Sequence, residues 1–208
     1  SDSIVIIPTY NEKENIENII RAVFGLEKEF HILIIDDGSP DECPHICDEY
    51  EALCPNLIKV IHQKNAGLSA ARNSGINAAQ GDYIMFVDSD DYLQPNVLRT
   101  LMEQVERENL DVLRFDYQNV RESGDAFAPY KDMTNYNDYS STPTDGLTFL
   151  NERMGTQCYA VQFLVRREIA LQEQFTLGIY FEDTDWTPRM LLRAKRVAST
   201  DLVVYSYL

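Results

Sequence analysis

Short apolar runs alternate with segments of helical spacing through the first 115 residues, and this alternation constrains the fold more than any other feature of the chain. The apolar runs predict strands at residues 4–7, 31–35, 57–61 and 83–87. These runs are continuous rather than alternating, which is typical of strands covered on both faces of a parallel sheet. We therefore predict an α/β fold, doubly wound, with a mostly parallel central sheet and helices on both faces.

The segments between these strands carry helix signals. Asn11 is a predicted N-cap and Glu14 stands at the capping-box position, and the apolar stripe that follows consists of Ile16, Ile19, Ile20, Val23 and Phe24. Further helices are predicted at residues 40–53, 69–79 and 95–109, and the first of them is predicted to bury Ile46, Tyr50 and Leu53. Beyond a strand at 112–117 the pattern loosens, and it predicts a polar loop at 121–145, helices at 147–154 and 184–196, and strands at 159–165 and 202–207.

Size, charge and hydrophobicity exclude several functions. A chain of 208 residues suits one domain, and a net charge of −16 argues against a nucleic-acid binder, which needs a basic face. The apolar runs are far shorter than a membrane span. The chain enters a strand without a basic leader and ends inside a predicted strand. We therefore expect a cytoplasmic location and a protein that continues beyond residue 208.

Asp88, Ser89, Asp90 and Asp91 form an acidic cluster directly after the predicted strand at 83–87. Carboxylates so close together repel one another, and a hard divalent cation with oxygen ligands, such as Mn²⁺ or Mg²⁺, would offset that repulsion. The carboxyl ends of parallel strands also face the crevice where open α/β sheets bind ligands. The alternative is a strand-end turn whose aspartates accept hydrogen bonds from nearby backbone N–H groups.

Two earlier segments also follow predicted strands. Asp36 and Asp37 precede Gly38, so a carboxylate there can accept a hydrogen bond from a bound base, although a simple turn that caps the next helix explains the same residues. Residues 65–75 place small side chains at a helix N-terminus, which favours anions, and Arg72 can add charge beside a diphosphate or stack on a base. The alternative is a helix packed tightly on the sheet with Arg72 in solvent.

Glu182 and Asp183 directly precede the last predicted helix, at residues 184–196. Acidic residues at a helix start are commonly caps, but the helix dipole also holds a carboxylate ionised, as a general base requires. Trp186, the only tryptophan, can form either an apolar wall for a sugar or part of the core.

Five segments together resemble a family 2 glycosyltransferase with the GT-A fold: IVIIPTYN (4–11), IDDGS (35–39), NAG and ARN (65–73), FVDSDD with its DXD pattern (86–91) and FED (181–183). The resemblance implies a single domain over residues 1–208, with a nucleotide-sugar-binding half at 1–115 and an acceptor-side half at 116–208. It also implies transfer of a sugar, with inversion, from a nucleotide-diphosphate donor to a hydroxyl group. A UDP-sugar is the favoured donor, the acceptor is a glycan or lipid-linked molecule, and the setting is polysaccharide or glycolipid biosynthesis, with peripheral association at the inner face of the cell membrane.

Carried over position by position, the resemblance also implies roles for individual residues. The nucleotide pocket would be lined by Pro8, Thr9, Tyr10, Asp36, Asp37, Arg72 and Asp88. Asp90 would ligate Mn²⁺ or Mg²⁺, and Asp88 would contact the ribose or the water shell of the metal. Asp183 would be the catalytic base, with Glu182 as the second choice.

Three other classes of protein are weighed against this prediction. A receiver domain carries its acidic pair after the first strand, whereas Asp36 and Asp37 follow the second. A sugar nucleotidyltransferase needs a glycine-rich basic loop after its first strand, where this chain has Pro8-Thr-Tyr-Asn-Glu-Lys13. A catalytically silent relative that binds only a carbohydrate or a partner stays as the alternative.

Overall fold

The computed structural model describes residues 3–24, 30–121, 126–127, 139–155 and 157–208. Within these ranges the strands are β1 Ser3–Thr9, β2 Phe30–Asp36, β3 Ile58–His62, β4 Tyr83–Phe86, β5 Tyr92–Leu93, β6 Val112–Val120, β7 Ala126–Phe127, β8 Phe163–Arg166 and β9 Val197–Tyr207. The α-helices are α1 Ile16–Phe24, α2 Cys43–Leu53, α3 Leu68–Ala78, α4 Val97–Glu108, α5 Gly146–Glu152, α6 Arg167–Gln172 and α7 Glu182–Arg193.

All of these strands join one mixed sheet. Its order is β3-β2-β1-β4-β8-β6-β9-β5, and β7 pairs with β6. Strand β1 runs parallel to β2 and β4, and β2 runs parallel to β3, so the amino-terminal half is the predicted parallel sheet. Strand β8 is antiparallel to both β4 and β6, whereas β6 and β9 are again parallel. The predicted doubly wound α/β fold is confirmed, and every antiparallel pairing among the described strands includes a strand from residues 112–207.

The strand order explains where ligands can bind. The chain passes from β1 to β2 to β3 in one direction and then returns past β1 to form β4. Because such crossovers are right-handed, α1 and α2 cover one face and α3 covers the other. The direction reverses between β1 and β4, and the crevice outside their carboxyl ends is the expected ligand site of an open α/β sheet.

Helix α3 packs unusually close to the sheet. A Cβ at Gly75 would collide with the Cγ2 atom of Ile6, and Ala71 and Ile76 are also buried against the strands. The small residues of this helix therefore serve packing as well as any ligand. Arg72 lies on the same helix and is buried, so the alternative that places it in solvent is wrong.

Several predicted boundaries need correction. Helix α1 begins at Ile16, and Asn11 is no N-cap: it has a positive φ of 60° and its N–H donates to the Ser39 hydroxyl group. Leu53 was predicted to be buried and is 74% exposed. The predicted strand at 159–165 begins with a 3₁₀ turn, Ala160–Gln162, and α7 starts two residues earlier than predicted, because Phe181 turns the chain at a φ of 56°.

Other predictions hold or fall outside the described residues. Ile16, Ile19 and Ile20 are buried as predicted.

Most of the predicted loop at 121–145 lies outside the described ranges, apart from its ends and the short strand β7. No helix among the described residues is both long and apolar enough to cross a lipid bilayer.

Candidate active site

Two cavities open beside the carboxyl ends of β1 and β4. The first, the switch-point cavity, has a volume of about 390 Å³ and is lined by residues that include Pro8, Thr9, Tyr10, Asp37, Gly67, Asp88, Ser89 and Asp90. The second, the tyrosine cavity, has a volume of about 350 Å³ and is lined by residues that include Arg72, Tyr117, Asn119, Tyr159, Gln162, Glu182, Asp183 and Tyr205. Leu68, Asp88 and Tyr207 line both, so the cavities are contiguous.

Arg72 lines the tyrosine cavity, where it contacts Asp88, one of the residues that line both cavities, and it joins three elements. Its guanidinium donates to Asp88 Oδ1 at 3.0 Å, beyond the end of β4, and to Glu182 Oε1 at 2.6 Å, at the start of α7. The rings of Phe86 and Phe175 lie 5.8 and 5.3 Å from its central carbon. Burial disfavours the charge of Arg72, but Asp88 and Glu182 outweigh burial and raise its pKa. A permanent buried cation thus holds two carboxylates in place.

Asp88 and Asp90, the two predicted metal ligands, both line the switch-point cavity. One oxygen of Asp88 is engaged by Arg72, and Asp90 is exposed. No group of three metal-ligating side chains occurs among the described residues. Two carboxylates nevertheless fit Mg²⁺ or a similar hard cation, which is commonly held by one or two carboxylates and completed by substrate phosphates and water.

Asp91 lies behind this cluster and lines neither cavity. It accepts hydrogen bonds from the Tyr205 hydroxyl group at 2.7 Å and from the backbone N–H of Leu208 at 2.9 Å. The same hydroxyl oxygen accepts from the N–H of Asp88 at 3.1 Å. Burial raises the pKa of Asp91 to about 7. Asp91 and Tyr205 therefore position the backbone that carries Asp88.

The two adjacent acids at the end of β2 have different surroundings. The Asp37 carboxylate faces the switch-point cavity and accepts from the Gln63 side chain and from the N–H groups of Ala66 and Gly67 at 2.7 to 3.2 Å. Asp36 lines neither cavity, although the sequence placed it in the nucleotide pocket. It is buried, accepts from the Ser39 N–H, and lies 2.9 Å from Nδ1 of His62. Successive residues of a strand point to opposite faces, so the two carboxylates separate.

Glu182 and Asp183 occupy the first turn of α7, and both line the tyrosine cavity. Glu182 is paired with Arg72, whereas no ion pair of the described residues includes Asp183. Burial, followed by the neighbouring charge of Glu182, raises the pKa of Asp183, and Arg72 partly offsets the shift. Asp183 therefore has a raised proton affinity and, among the described residues, no ion pair.

Trp186 belongs to the core. It is fully buried, its ring stacks on Phe175 with centroids 4.5 Å apart, and its indole N–H donates to the carbonyl oxygen of Glu173. The alternative in which it forms a wall of a sugar site is therefore wrong.

Sequence reasoning missed four polar side chains of the tyrosine cavity, those of Tyr117, Asn119, Tyr205 and Tyr207. Tyr117 and Asn119 of β6 pair in register with Tyr205 and Tyr207 of β9. The spacing of two within each pair places all four on one face of the sheet. That spacing was visible in the sequence, but the pairing of β6 with β9 was not.

A family model described as glycosyl transferase family 2 matches residues 4–171. The chain belongs to this family. The predicted resemblance and the predicted GT-A fold are thereby confirmed, and the comparisons with solved structures agree.

Individual relatives support the same assignment. The family 2 chain is 29% identical to glycosyltransferase GlyG of Streptococcus pneumoniae, over 98% of this chain and 69% of that protein. It superposes on the S. aureus TarS 1-349 structure in complex with UDP-GlcNAc with a TM-score of 0.82 at 22% identity, over 99% of this chain and 58% of that one. For the Pyrobaculum calidifontis mannosyltransferase PcManGT in complex with GDP-Man and Mn²⁺, the TM-score is 0.74 at 15% identity, over 98% and 56% of the two chains.

The family 2 chain spans only part of its relatives. It covers between 46% and 69% of the length of five curated relatives that it matches over nearly its whole length.

Proposed function

We propose that this family 2 protein transfers a sugar from a nucleotide-diphosphate donor to an acceptor hydroxyl group with inversion at the anomeric carbon. The observation that carries the proposal is the pair of contiguous cavities, which share Asp88 as a lining residue. Asp90 lines one of them, and Glu182 and Asp183 line the other. A UDP-sugar is the donor we favour, in keeping with the UDP-GlcNAc complex of TarS, and the acceptor we propose is a glycan or lipid-linked molecule.

The switch-point cavity is the proposed donor site. Pro8, Thr9 and Tyr10 provide its wall at the end of β1, and Asp37 provides an acceptor for the edge of a base. Asp88 and Asp90 would hold Mn²⁺ or Mg²⁺, an assignment supported by the chemistry of two cavity-lining carboxylates and by the Mn²⁺ complex of PcManGT. Such an ion would stabilise the negative charge of the departing diphosphate.

Arg72 has two proposed tasks at this site. It supplies positive charge close to the donor diphosphate, and it also fixes Asp88 and Glu182 relative to each other through its two ion pairs. Because it is buried, the guanidinium cannot swing away into solvent when the donor leaves. The second task requires the fixed fork of donors that arginine has and lysine lacks.

The tyrosine cavity is the proposed acceptor site, and Asp183 is the proposed general base. An acceptor hydroxyl group bound beside Asp183 would lose its proton to the carboxylate as it attacks the anomeric carbon. One base on the side opposite the leaving group gives a single displacement, hence inversion. Glu182 is less suited to this task because its carboxylate already accepts from Arg72.

The test is nucleotide release from a panel of UDP-, GDP- and dTDP-sugars, each with Mn²⁺ and with a chelator, in the presence of a mixture of saccharide acceptors. We expect release with at least one donor, and we expect the chelator to abolish it. Binding of a sugar without release of nucleotide from any donor would favour the alternative, a catalytically silent carbohydrate-binding domain. A chain that binds neither nucleotide nor metal would overturn the donor site.

A further inference from the structure

Gln162 has an unusual environment inside the tyrosine cavity. The residue lines the cavity and is fully buried, and among the described residues neither the amide oxygen nor the amide nitrogen of its side chain has a hydrogen-bond partner. Proteins rarely leave both ends of a buried amide unpaired, because each loses its hydrogen bonds to water without replacement. An unpaired polar group beside a cavity is therefore explained best by a ligand that pairs with it.

The backbone around Gln162 is held by the fold. The residue ends the 3₁₀ turn Ala160–Gln162, and its N–H donates to the carbonyl oxygen of Tyr159 at 3.1 Å. One residue before Tyr159, the carbonyl oxygen of Cys158 accepts from the Thr187 hydroxyl group of α7 at 2.8 Å. The turn is thus fastened to the same helix that carries Asp183, so the amide and the proposed base have a fixed relation.

The charges of the cavity restrict what can pair with this amide. Three carboxylates line it, those of Asp88, Glu182 and Asp183. Among the described lining residues the only cation is Arg72, and it is already paired with two of the three. A phosphate or carboxylate group of a ligand would meet an excess of negative charge here. The cavity therefore suits a neutral ligand.

The remaining lining residues suit a ring with several hydroxyl groups. The rings of Tyr117 and Tyr159 meet edge to face, with centroids 5.9 Å apart, and both border the cavity. Aromatic side chains offer apolar faces to the C–H groups of a sugar, while an amide donates at one end and accepts at the other. A hydroxyl group also donates and accepts, so neighbouring hydroxyl groups can satisfy both ends of Gln162.

We propose that Gln162 determines acceptor specificity by hydrogen bonding the hydroxyl groups of a neutral saccharide ring held in the tyrosine cavity. This inference rests on the proposed function, because it names the acceptor class for that site. It predicts that a neutral glycoside is accepted and that a phosphorylated polyol is not. The ring occupies the cavity with one hydroxyl group at Asp183 and others at Gln162.

The experiment compares the wild type with Gln162→Leu, which keeps the volume and removes the hydrogen bonds. The probes are methyl glycosides of glucose, galactose and N-acetylglucosamine, set against glycerol 3-phosphate and ribitol 5-phosphate. Binding is followed by ligand-observed NMR with UDP and Mn²⁺ present, and transfer is followed by nucleotide release from the best UDP-sugar. We expect at least one glycoside to bind, and the variant to raise its dissociation constant and KM by roughly 10- to 100-fold with a smaller change in kcat.

A matched control separates recognition from folding. Ser3 at the start of β1 also has a buried side-chain oxygen with no hydrogen-bond partner among the described residues, and it lines neither cavity. Ser3→Ala should leave the KM for the glycoside unchanged. Gln162→Leu should keep or raise the melting temperature, since it removes an unpaired buried amide, whereas a structural glutamine would lower the melting temperature when replaced.

The outcomes distinguish this inference from the proposed function. If the protein releases nucleotide but only the phosphorylated polyols act as acceptors, the inference is overturned and the transferase function stands. An unchanged KM in Gln162→Leu, or no binding by any glycoside, also overturns it. If the wild type does not bind UDP, that result would instead contradict the proposed donor site.

Discussion

The two cavities of this family 2 chain are built in different ways. The switch-point cavity is made largely by loops that follow parallel strands, and the Asp37 carboxylate there accepts from the backbone N–H groups of Ala66 and Gly67. The tyrosine cavity is made by side chains of regular elements, among them β6, β9 and α7. The first suits a charged ligand that approaches the backbone closely, and the second suits a neutral ring.

Arg72 is the main connection between the two cavities. It lies on α3, and its two carboxylate partners come from the end of β4 and from the start of α7. A change in one cavity can therefore reach the other through a single buried guanidinium. The following predictions test whether the two cavities can be damaged separately.

The largest effect is expected in the tyrosine cavity. Asp183→Asn removes the proposed base while keeping the shape of the side chain, so kcat should fall by roughly 10²- to 10⁴-fold. The affinity for UDP, whose proposed site is the other cavity, should stay near the wild-type value. Steady-state kinetics and calorimetric titration with UDP measure the two quantities.

Asp185→Asn is the matched control for this change. Asp185 lies in the same helical turn, but it pairs with Arg189 at 2.7 Å and accepts from Thr176, and it lines neither cavity. Its replacement should leave kcat close to the wild-type value. Transfer at the normal rate by Asp183→Asn would show that the base is another residue, with Glu182 the next to test.

Arg72→Met should damage both cavities and the fold. The change leaves Asp88 and Glu182 without their shared cation in a largely buried site, which costs about 3–5 kcal/mol of unfolding free energy. Arg189→Met removes two ion pairs of a residue that is about one-third exposed, and it should cost no more than about 1 kcal/mol. Urea denaturation compares the two variants. Equal losses would show that Arg72 contributes no more than a surface arginine.

Asp90→Ala should damage the switch-point cavity alone. Loss of this carboxylate should weaken Mn²⁺-dependent UDP binding by roughly 10- to 100-fold, the range found when groups that support a metal site are removed. Binding measured with a chelator should change little. Asp82→Ala, an exposed acid at the opposite end of β4, is the control and should bind UDP as the wild type does. Equal weakening with and without Mn²⁺ would contradict a metal role.

The two cavities also differ in how far the sequence predicts them. Asp37, Asp88 and Asp90 come directly after predicted parallel strands, and the carboxyl ends of such strands meet at one edge, so their convergence follows from the fold. Gln162 and Tyr205 are different. They come from segments that meet only because β8 runs antiparallel to β4 and because β9 pairs with β6, and neither pairing has a local signal in the sequence.

Even within the predictable cavity, side-chain direction was decided by tertiary context. Asp36 and Asp37 are equivalent as a sequence motif, but only one can face the cavity from a strand end. The partner of Asp36, His62, lies 26 residues away on β3. Similarly, the burial of Arg72 depends on Glu182, which is 110 residues distant. The family resemblance predicts which residue types occur at these positions. It does not predict that Asp36 contacts His62 or that Arg72 contacts Glu182.

A smaller effect is expected in the pH dependence of transfer. Burial, and after it Glu182, raise the pKa of Asp183, and the base must be ionised to act. Activity should therefore fall as the pH decreases through this raised pKa, above the ordinary value near 3.9. Glu182→Gln removes the like charge beside Asp183. The decrease in kcat at acidic pH should therefore move to lower pH by up to about one unit. If kcat decreases at the same pH in the wild type and in Glu182→Gln, Asp183 is not the titrating group.

The smallest effect concerns the support beneath the switch-point cavity. His62 lies 2.9 Å from Asp36 and 2.9 Å from Asp48, and the hydrogen bond to Asp36, followed by that to Asp48, raises its pKa. A raised pKa stabilises the fold fully below the unfolded value near 6.5, and this contribution disappears as the pH rises through the folded value. His62→Gln should therefore lower the unfolding free energy at about pH 5.5 more than at about pH 8.5.

The difference between the two pH values should stay below about 1 kcal/mol, because the His62 side chain is 40% exposed and solvent screens its ion pairs. His45→Gln is the control, since His45 contacts only the exposed Glu49 at 3.5 Å among the ion pairs of the described residues. A larger loss for His62→Gln at the higher pH would mean that the neutral imidazole, acting as a simple hydrogen-bond donor to Asp36, supports the β2 end of the cavity. The ion pair would then be incidental, and the position of Asp37 would be independent of pH.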